Sequence, residues 1–387
     1  MAASFVPRTL FEASANITRT YYIGHHKSAL VGIKQMISNV GLVLECRDSR
    51  VPLTSANELF ESTLAGRDRI VVYTKCDLCT TTGPRWFEEQ RHLLAQWNAP
   101  VGSASGTGRR PDIAFTHDRN PRLVSRLFDA IKERAAAHDS PLGLRVLVVG
   151  MPNTGKSSLL NALRLQGMGL PKAARTGSNP GVTRKMGGPV RILAAGSDHS
   201  AVPSLSPPAR PAFFADRDEP PPDYGGGVYV YDTPGVFTPY AETVEEMLKL
   251  ALVGSVKDGI IPAETLADYL LFNLNLRDPS LYGALCEPTN DVERFLGAVA
   301  VRTGKLLKGG VPSTEHAADW IVNQWRAGDL GRFALDDTSE RALAERARRR
   351  QDPHWQRPLS LNQARNREKD ERKARNAAKR ATAKSAG

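Results

Sequence analysis

Six short runs of apolar residues are separated by segments in which apolar positions recur every three or four residues. Runs of this kind predict strands that are buried on both faces, and the longer spacing predicts amphipathic helices. Regular alternation of the two is typical of an α/β fold with a mostly parallel sheet and helices on both faces. The predicted strands cover residues 40–46, 69–73, 113–115, 144–149, 190–193 and 228–231, and the predicted helices between them end near residue 38 or cover 86–97 and 122–136.

The pattern changes after residue 240. From about residue 242 to 336 the apolar side chains keep helical spacing, as in Leu266, Tyr269, Leu270 and Leu274, with further helices predicted over 292–307 and 314–325. We therefore expect an α/β domain over residues 21–240 and a small all-α domain over 241–336. Residues 195–227 are rich in Pro, Ser and Gly and cannot form a core, so they predict a disordered insertion.

Positive charge is concentrated at the end of the chain. Residues 341–387 hold eleven Arg and four Lys against five acidic residues, so this segment carries +10 of the total charge of +11. We expect residues 337–387 to form a disordered basic tail. Such a tail is either a solvated end or an arm that binds RNA phosphates, and the nearly neutral remainder of the chain favours the RNA arm.

The first twenty residues contain Arg8, Arg19, several Ser and Thr, and one acidic residue, Glu12. This composition is typical of a mitochondrial transit segment, although a plain disordered start would look similar. No apolar run approaches the ~18 residues that a membrane span needs. Four irregularly spaced cysteines favour a reducing compartment. Cys76 and Cys79 resemble half of a zinc site, but the sequence has no second pair.

The strand over residues 144–149 is followed by Gly150, four variable residues and then Gly155, Lys156 and Ser157. This is the phosphate loop, G-x-x-x-x-G-K-[ST], in the strand–loop–helix context that it requires. Glycines allow backbone N–H groups to surround phosphate oxygens, Lys156 neutralises the terminal phosphates, and Ser157 offers a ligand to Mg²⁺. The sequence therefore predicts a site for a nucleoside triphosphate and Mg²⁺, completed by Asn153, Thr154 and Ser158.

The strand over residues 69–73 is followed by Thr74, Lys75, Cys76 and Asp77, which resembles the Asn-Lys-x-Asp sequence of GTPases. A carboxylate at the last position accepts two N–H groups from guanine, and the lysine stem packs over the ring. Thr74 in place of Asn makes fewer hydrogen bonds and weakens the match. For the second guanine contact we favour the backbone of Thr116 and His117, with residues 103–104 (Ser-Ala) as the alternative.

Two later segments predict nucleotide-sensing switches. Thr183 lies in a polar segment after the phosphate-loop helix, and Asp232 and Gly235 lie in an Asp-Thr-Pro-Gly sequence directly after the last strand. We expect Ser157, Thr183 and Asp232 to hold Mg²⁺, and the Gly235 N–H to contact the γ-phosphate. Many GTPases place a water-orienting Gln after this glycine, but this chain has Val236.

The motifs occur in an unusual order, because the predicted base loop precedes the phosphate loop. In this order the chain resembles the circularly permuted GTPases that assist assembly of the large ribosomal subunit, and among them the mitochondrial members. The resemblance covers residues 21–336 except for the insertion. It rests on Gly24-His25, Asp48-x-Arg50-x-Pro52, Lys75-x-Asp77 and residues 150–157, 180–183, 232–235, 251–259 and 328–333.

The resemblance implies a P-loop GTPase that the large ribosomal subunit stimulates. Its implied partners are the mitochondrial large subunit and its rRNA, with a helical C-terminal domain that contacts RNA. It also implies a location on the matrix side of the inner membrane, with peripheral membrane association. The protein would be a monomer off the ribosome. His25 matches the family histidine that is thought to replace the missing Gln, and Asn153 matches a residue associated with K⁺ stimulation.

Two other functions stay open from the sequence alone. Val236 and Thr74 would also fit a non-hydrolysing RNA-binding scaffold that uses GTP as a structural ligand. The third possibility is an ATPase with an unrelated role.

Overall fold

A computed structural model of the protein describes residues 5–14, 16–21, 24–79, 84–98, 111–117, 120–138, 140–177, 186–195 and 226–351, together with residues 369 and 372. Within these ranges one six-stranded sheet has the order β3-β2-β1-β4-β6-β5, and all neighbours are parallel except β5 and β6. The mostly parallel α/β fold predicted from the apolar runs is confirmed. The strands are β1 Leu42–Asp48, β2 Arg69–Thr74, β3 Asp112–Phe115, β4 Leu144–Gly150, β5 Val190–Leu193 and β6 Val228–Asp232.

Helices cover both faces of the sheet because successive strand residues point to opposite sides. On β4, Val146 and Val148 pack against two helices on one face, whereas Leu147 and Val149 pack against two others on the opposite face. A third apolar cluster lies beside β2. The helices of this α/β region (residues 21–240) are α1 Gly24–Met36, α2 Glu58–Thr63, α3 Pro84–Trp97, α4 Pro121–Ala136 and α5 Lys156–Met168.

The helical region (residues 241–336) packs around large buried side chains such as Tyr269, Phe295 and Trp325. Helix ends follow local capping rules, since Asp291 accepts from the Glu293 and Arg294 N–H groups. The helix predicted over 292–307 ends at Thr303, because the next residue is Gly304 with φ 70°. The helices here are α6 Val244–Leu252, α7 Ala263–Arg277, α8 Val292–Thr303 and α9 Thr314–Ala327.

Loops of the α/β region contribute to the core of the helical region. Met151 of the loop after β4, Val51 of the loop after β1 and Phe237 of the segment after β6 are fully buried within the same apolar cluster as the helical region. Asp336 adds a polar contact, because its buried carboxylate accepts the N–H groups of Leu53 and Thr54. Loops from three strands of the sheet are therefore fixed against the helical region.

The predicted disordered tail is wrong for its first part. A tenth helix, α10 Glu340–Gln351, occupies residues that we assigned to the tail, because Leu343 is buried in the apolar cluster beside β2 and Arg346 pairs with Glu246. The rest of the tail, apart from residues 369 and 372, lies outside the described residues, as do residues 196–225 of the predicted insertion.

The N-terminal residues are part of the fold. Phe11 packs edge-on against Tyr269 with ring centroids 5.1 Å apart, and Arg8 pairs with Asp268 at 2.5 Å. Farther along, the carbonyl of Arg19 accepts the N–H of Ala241. The predicted transit segment therefore lies along the helical region. No helix among the described residues is both long and apolar enough to cross a membrane.

Candidate nucleotide-binding site

The loop after β4 has the backbone that a phosphate cradle needs. Gly150 has φ 153°, and a Cβ there would lie 2.4 Å from the Cys46 carbonyl oxygen. Gly155 adopts the left-handed conformation directly before α5 begins at Lys156. Glycine is therefore required at both ends of the loop, and the N–H groups of the first turn of α5 point towards it.

Lys156 is buried, and its Nζ donates to the carbonyl of Met151 at 2.7 Å. Burial lowers the pKa of this ammonium group, and the nearby Asp232 carboxylate opposes that shift. A buried cation beside a set of backbone N–H groups forms an anion-binding site. Lys156 is therefore placed to neutralise a terminal phosphate.

Ser157 and Asp232 are brought together although they lie 75 residues apart. Ser157 Oγ donates to Asp232 Oδ2 at 2.6 Å, and Asp232 Oδ1 is buried without a hydrogen-bond partner among the described residues. Burial raises the pKa of the Asp232 carboxyl. A hydroxyl beside an unsatisfied carboxylate oxygen is a donor set that fits Mg²⁺, which would neutralise charge on bound phosphates. Thr183, the third predicted ligand, lies outside the described residues.

The base loop after β2 is tied directly to the phosphate loop. Lys75 has φ 54° and donates through Nζ to the Asn153 carbonyl at 2.6 Å. Thr74 Oγ1 donates to the Thr154 carbonyl at 2.8 Å and lies 3.1 Å from the Arg47 carbonyl oxygen. The threonine hydroxyl thus joins the two loops by hydrogen bonds, although Thr74 stands where other GTPases have Asn.

Asp77 lies at a cavity of about 260 Å³. His117 Nδ1 is 3.2 Å from Asp77 Oδ1. The backbone of Thr116 is used within the fold, because its N–H donates to Tyr73 and its carbonyl accepts from Cys76. Both backbone groups of Thr116 are therefore engaged within the fold, and the His117 carbonyl also accepts, from the Asn120 N–H. The alternative, residues 103–104, lies outside the described residues. The cavity is also lined by Thr74, Lys75, Gly155, Ser158, Leu159 and Arg326.

The segment after β6 rests on the phosphate loop. A Cβ on Gly235 would lie 2.6 Å from the backbone nitrogen of Pro152, so no other residue fits there without a shift. Val236 donates its N–H to Gly150, and its side chain is fully buried in an apolar cluster. Val236 therefore has neither the chemistry nor the direction to orient a water at a γ-phosphate.

His25 and His26 lie in the first turn of α1, which begins at Gly24. The side chain of His25 lies outside the described part of the chain, whereas His26 is buried with Nδ1 3.0 Å from the Gly235 carbonyl oxygen and 3.3 Å from the Phe237 nitrogen. His26 is not among the site residues predicted from the sequence. His26 anchors the start of α1 to the segment after β6, and thereby places His25 on a helix fixed beside that segment.

No role for Asp48 or Arg50 was predicted from the sequence. The Asp48 carboxylate is buried and accepts from Arg50 Nε, Arg50 Nη2 and Lys75 Nζ at 2.9–3.0 Å. Burial alone would raise the pKa of Asp48, but the two cations hold it well below its usual range. Asp48 is therefore a permanently charged anchor for the lysine of the base loop.

Cys76 and Cys79 are both buried in the apolar cluster beside β2. Burial raises the pKa of the Cys76 thiol to about 12, and Cys76 and Cys79 are both buried and free. No cluster of three or more His, Cys, Asp or Glu that could hold a metal ion occurs in the described part of the chain.

These loops all follow parallel strands and meet at the carboxyl edge of the sheet, where α/β folds bind ligands. The fold and the arrangement of motifs are those of a P-loop GTPase in which the strand of the base loop precedes that of the phosphate loop, which is a circularly permuted G domain.

Comparison with known proteins agrees with this class. Residues 145–279 match the family described as 50S ribosome-binding GTPase. Mitochondrial GTPase 1 of Schizosaccharomyces pombe is 36% identical over 353 residues, which cover 88% of this chain and 95% of that protein. Mitochondrial ribosome-associated GTPase 1 of Xenopus tropicalis is 27% identical over 87% of this chain and 100% of its own length. The solved structure of GNP-bound YlqF from T. maritima is 20% identical with a TM-score of 0.46, covering 81% of this chain and 99% of that one.

The chain belongs to the mitochondrial GTPase 1 family. It is a GTP-hydrolysing enzyme.

Proposed function

We propose that this protein acts in assembly of the mitochondrial large ribosomal subunit, and hence in mitochondrial translation. The observation that carries the proposal is the match of residues 145–279 to the 50S ribosome-binding GTPases. The names of the relatives, which refer to mitochondria and to the ribosome, point the same way. Three segments complete the proposed organisation: a transit segment (1–20), a permuted G domain (21–240) and a helical C-terminal domain (241–336).

The proposed RNA contacts lie in the C-terminal part of the chain. The excess of Arg and Lys after residue 340 suits binding to rRNA phosphates, which is electrostatic and depends on salt. Helix α10 supports this role, since Arg341 and Arg348 are not buried and the helix is fixed to the body of the protein through Leu343. The arm would therefore start from a defined position.

For hydrolysis, we propose that His25 positions the attacking water. The contact of His26 with Gly235 supports this role, because it holds the start of α1 against the predicted γ-phosphate sensor. Binding to rRNA would then order His25 in its working position. The proposed guanine contacts are Asp77 and the His117 backbone. The proposed Mg²⁺ ligands are Ser157, Thr183 and Asp232.

We further propose that K⁺ stimulates turnover through Asn153. Asn153 Nδ2 donates to the Gly254 carbonyl at 2.9 Å, which fixes the orientation of the amide. An amide oxygen is the type of ligand that an alkali cation accepts. Turnover in KCl compared with NaCl at equal ionic strength tests this role, and equal rates would contradict it.

We place the protein on the matrix side of the inner membrane, bound peripherally. The exposed turn after α8 supports this location. It carries Leu306, Leu307 and Val311 at 47–55% exposure with Lys305 and Lys308 beside them. Aliphatic and cationic side chains together suit an anionic lipid surface, whereas aliphatic groups cannot stack on bases. Carbonate extraction of mitochondria, with the double change L306S/L307S as the variant, tests this assignment.

The ribosomal role is tested by sedimentation of tagged protein from mitochondrial lysate in a non-hydrolysable GTP analogue or in GDP. We expect co-migration with large-subunit particles in the analogue and release in GDP. Lys156→Ala should abolish the difference, and a chain truncated after residue 351 should bind less tightly. Migration at the top of the gradient in both nucleotides would contradict the proposal.

A further inference from the structure

The cavity beside the base loop is not formed by the α/β region alone. Arg326 and Ala327, the last residues of α9, line it together with Lys75 and Asp77. The next residue, Gly328, has φ 89°, and a Cβ there would lie 2.7 Å from Leu78 Cδ2. The corner that ends α9 is therefore packed directly on the base loop, so the helical region supplies part of the cavity wall.

Arg326 is fixed in place by the neighbouring helix. Its Nε donates to the Leu252 carbonyl and its Nη2 to the Ala251 carbonyl, both at 2.9 Å. These carbonyls belong to the last turn of α6, where a helix lacks internal partners and where a cation is favoured. Arg326 also pairs with Asp258 at 3.1 Å. The guanidinium is thus held rigidly, while its positive charge and stem remain at the cavity.

The same segment after α6 also reaches the phosphate loop. Gly254, two residues after the end of α6, accepts the side-chain amide of Asn153. Met151 of the phosphate loop lies in the core of the helical region. Trp325 directly precedes Arg326 in the sequence. The Arg50 guanidinium lies over the Trp325 ring, 5.0 Å from its centroid. The helical region therefore contacts the cavity wall, the phosphate loop and Arg50, which pairs with Asp48.

We propose that Arg326 is a nucleotide-contacting residue supplied by the helical region, and that a bound guanine nucleotide links the two regions together. This inference deepens the proposed function and rests on the proposed nucleotide site. A fixed guanidinium at the cavity wall can attract a purine face, a ribose oxygen or a phosphate, and each contact adds affinity for a guanine nucleoside di- or triphosphate.

Nucleotide binding and docking of the helical region must affect each other equally, because the two equilibria are linked. If docking of the helical region raises nucleotide affinity, then bound nucleotide must favour docking by the same factor. A ribosomal particle that pulls α9 away from the base loop would then also weaken nucleotide binding. This coupling acts at the base end of the site, apart from any movement of the segment after β6.

The first experiment titrates the purified full chain with a fluorescent GDP analogue, without ribosomes. We expect Arg326→Ala to weaken binding about tenfold, which is the effect of losing one favourable charged contact. Arg326→Lys keeps the charge and should recover part of the loss. The matched control is Arg302→Ala, an exposed arginine on α8 of the same region, which should bind like the unmodified protein. Affinity of Arg326→Ala within twofold of the unmodified protein would overturn the inference.

The second experiment measures amide hydrogen exchange over residues 251–258 with and without GDP. We expect GDP to slow exchange there in the unmodified protein and to have a much smaller effect in Arg326→Ala. A purely structural arginine would raise exchange in the nucleotide-free protein but leave the effect of GDP intact, and that result would overturn the inference.

Failure of the nucleotide site itself would look different. In that case the unmodified protein and Lys156→Ala would both fail to bind GDP, whereas failure of the Arg326 inference leaves the unmodified protein binding and Lys156→Ala not binding.

Discussion

Lys75 Nζ lies 2.9 Å from Asp48 Oδ2, although Asp48 ends β1 and Lys75 follows β2. The same ammonium group donates to the Asn153 carbonyl of the phosphate loop. Burial lowers the pKa of Lys75, and the Asp48 charge opposes that shift. The orientation of the base-loop lysine is thus set by Asp48 before any nucleotide arrives.

The first prediction concerns stability. Asp48→Asn leaves Arg50 and Lys75 without a buried counter-charge, so we expect a loss of about 3–5 kcal/mol in the free energy of unfolding. Urea denaturation measures it. Asp129→Asn removes an exposed partner of Lys132 and should change the same quantity by less than about 1 kcal/mol. Equal effects of the two changes would contradict the role given to Asp48.

The second prediction is the pH dependence of that difference. The folded pKa of Asp48 is depressed, so its contribution is complete above the unfolded value of about 4 and declines as pH falls through the folded value. The stability gap between the unmodified protein and Asp48→Asn should therefore be constant near neutral pH and shrink only below about pH 4. Denaturation at several acidic pH values measures this, and a gap that closes near neutrality would count against it.

The third prediction concerns the base. Asp77→Asn replaces an acceptor of two N–H groups, so we expect GTP affinity to fall at least tenfold and XTP affinity to rise. Competition of GTP, XTP and ATP against a fluorescent analogue gives both numbers. Lys156→Ala should bind none of them. Unchanged GTP affinity in Asp77→Asn would remove the base assignment.

The fourth prediction concerns the metal. The proposed Mg²⁺ site requires ionised Asp232, and burial raises the pKa of this carboxyl above the ordinary value of about 3.9. Mg²⁺-dependent binding of GTP should therefore weaken on acidification at a higher pH than an exposed aspartate would cause. Mg²⁺ titrations between pH 5 and 8 test this. Asp232→Ala should abolish the Mg²⁺ dependence, and a dependence that survives this change would contradict the site.

The fifth prediction separates the two histidines. His25→Ala should lower ribosome-stimulated turnover at least about a hundredfold without loss of GTP binding, because it removes the proposed water-positioning group. Lys27→Ala changes an exposed residue on the same helix and serves as the control. His26→Ala should instead lower the melting temperature, since His26 is buried against Gly235 and Phe237. Full stimulated turnover in His25→Ala would exclude the proposed mechanism.

The sheet could be predicted well because buried parallel strands are short, strongly apolar runs. All six predicted runs correspond to observed strands, with ends that differ by a residue or two. The phosphate loop could also be predicted from the sequence, since Gly150 and Gly155 need backbone conformations that few other residues adopt. Local sequence carries this information directly.

The errors arose where distant contacts decide the structure. Helix α10 has a mostly charged sequence, and it is held in place by Leu343 in the cluster beside β2 and by the Arg346–Glu246 pair. The Thr74 hydroxyl donates to the carbonyl of Thr154, which lies 80 residues later in the chain. Arg326 reaches the base loop across some 250 positions. No local sequence pattern indicates such contacts, because they form only when the chain folds.

The packing of Phe11 on Tyr269 bears on the proposed transit segment. Removal of the first twenty residues would uncover the outer side of α7 and delete the Arg8–Asp268 pair. The residues of the proposed transit segment are thus also residues that pack on the folded protein. If a presequence is cleaved, only a cut ahead of Arg8 preserves both contacts.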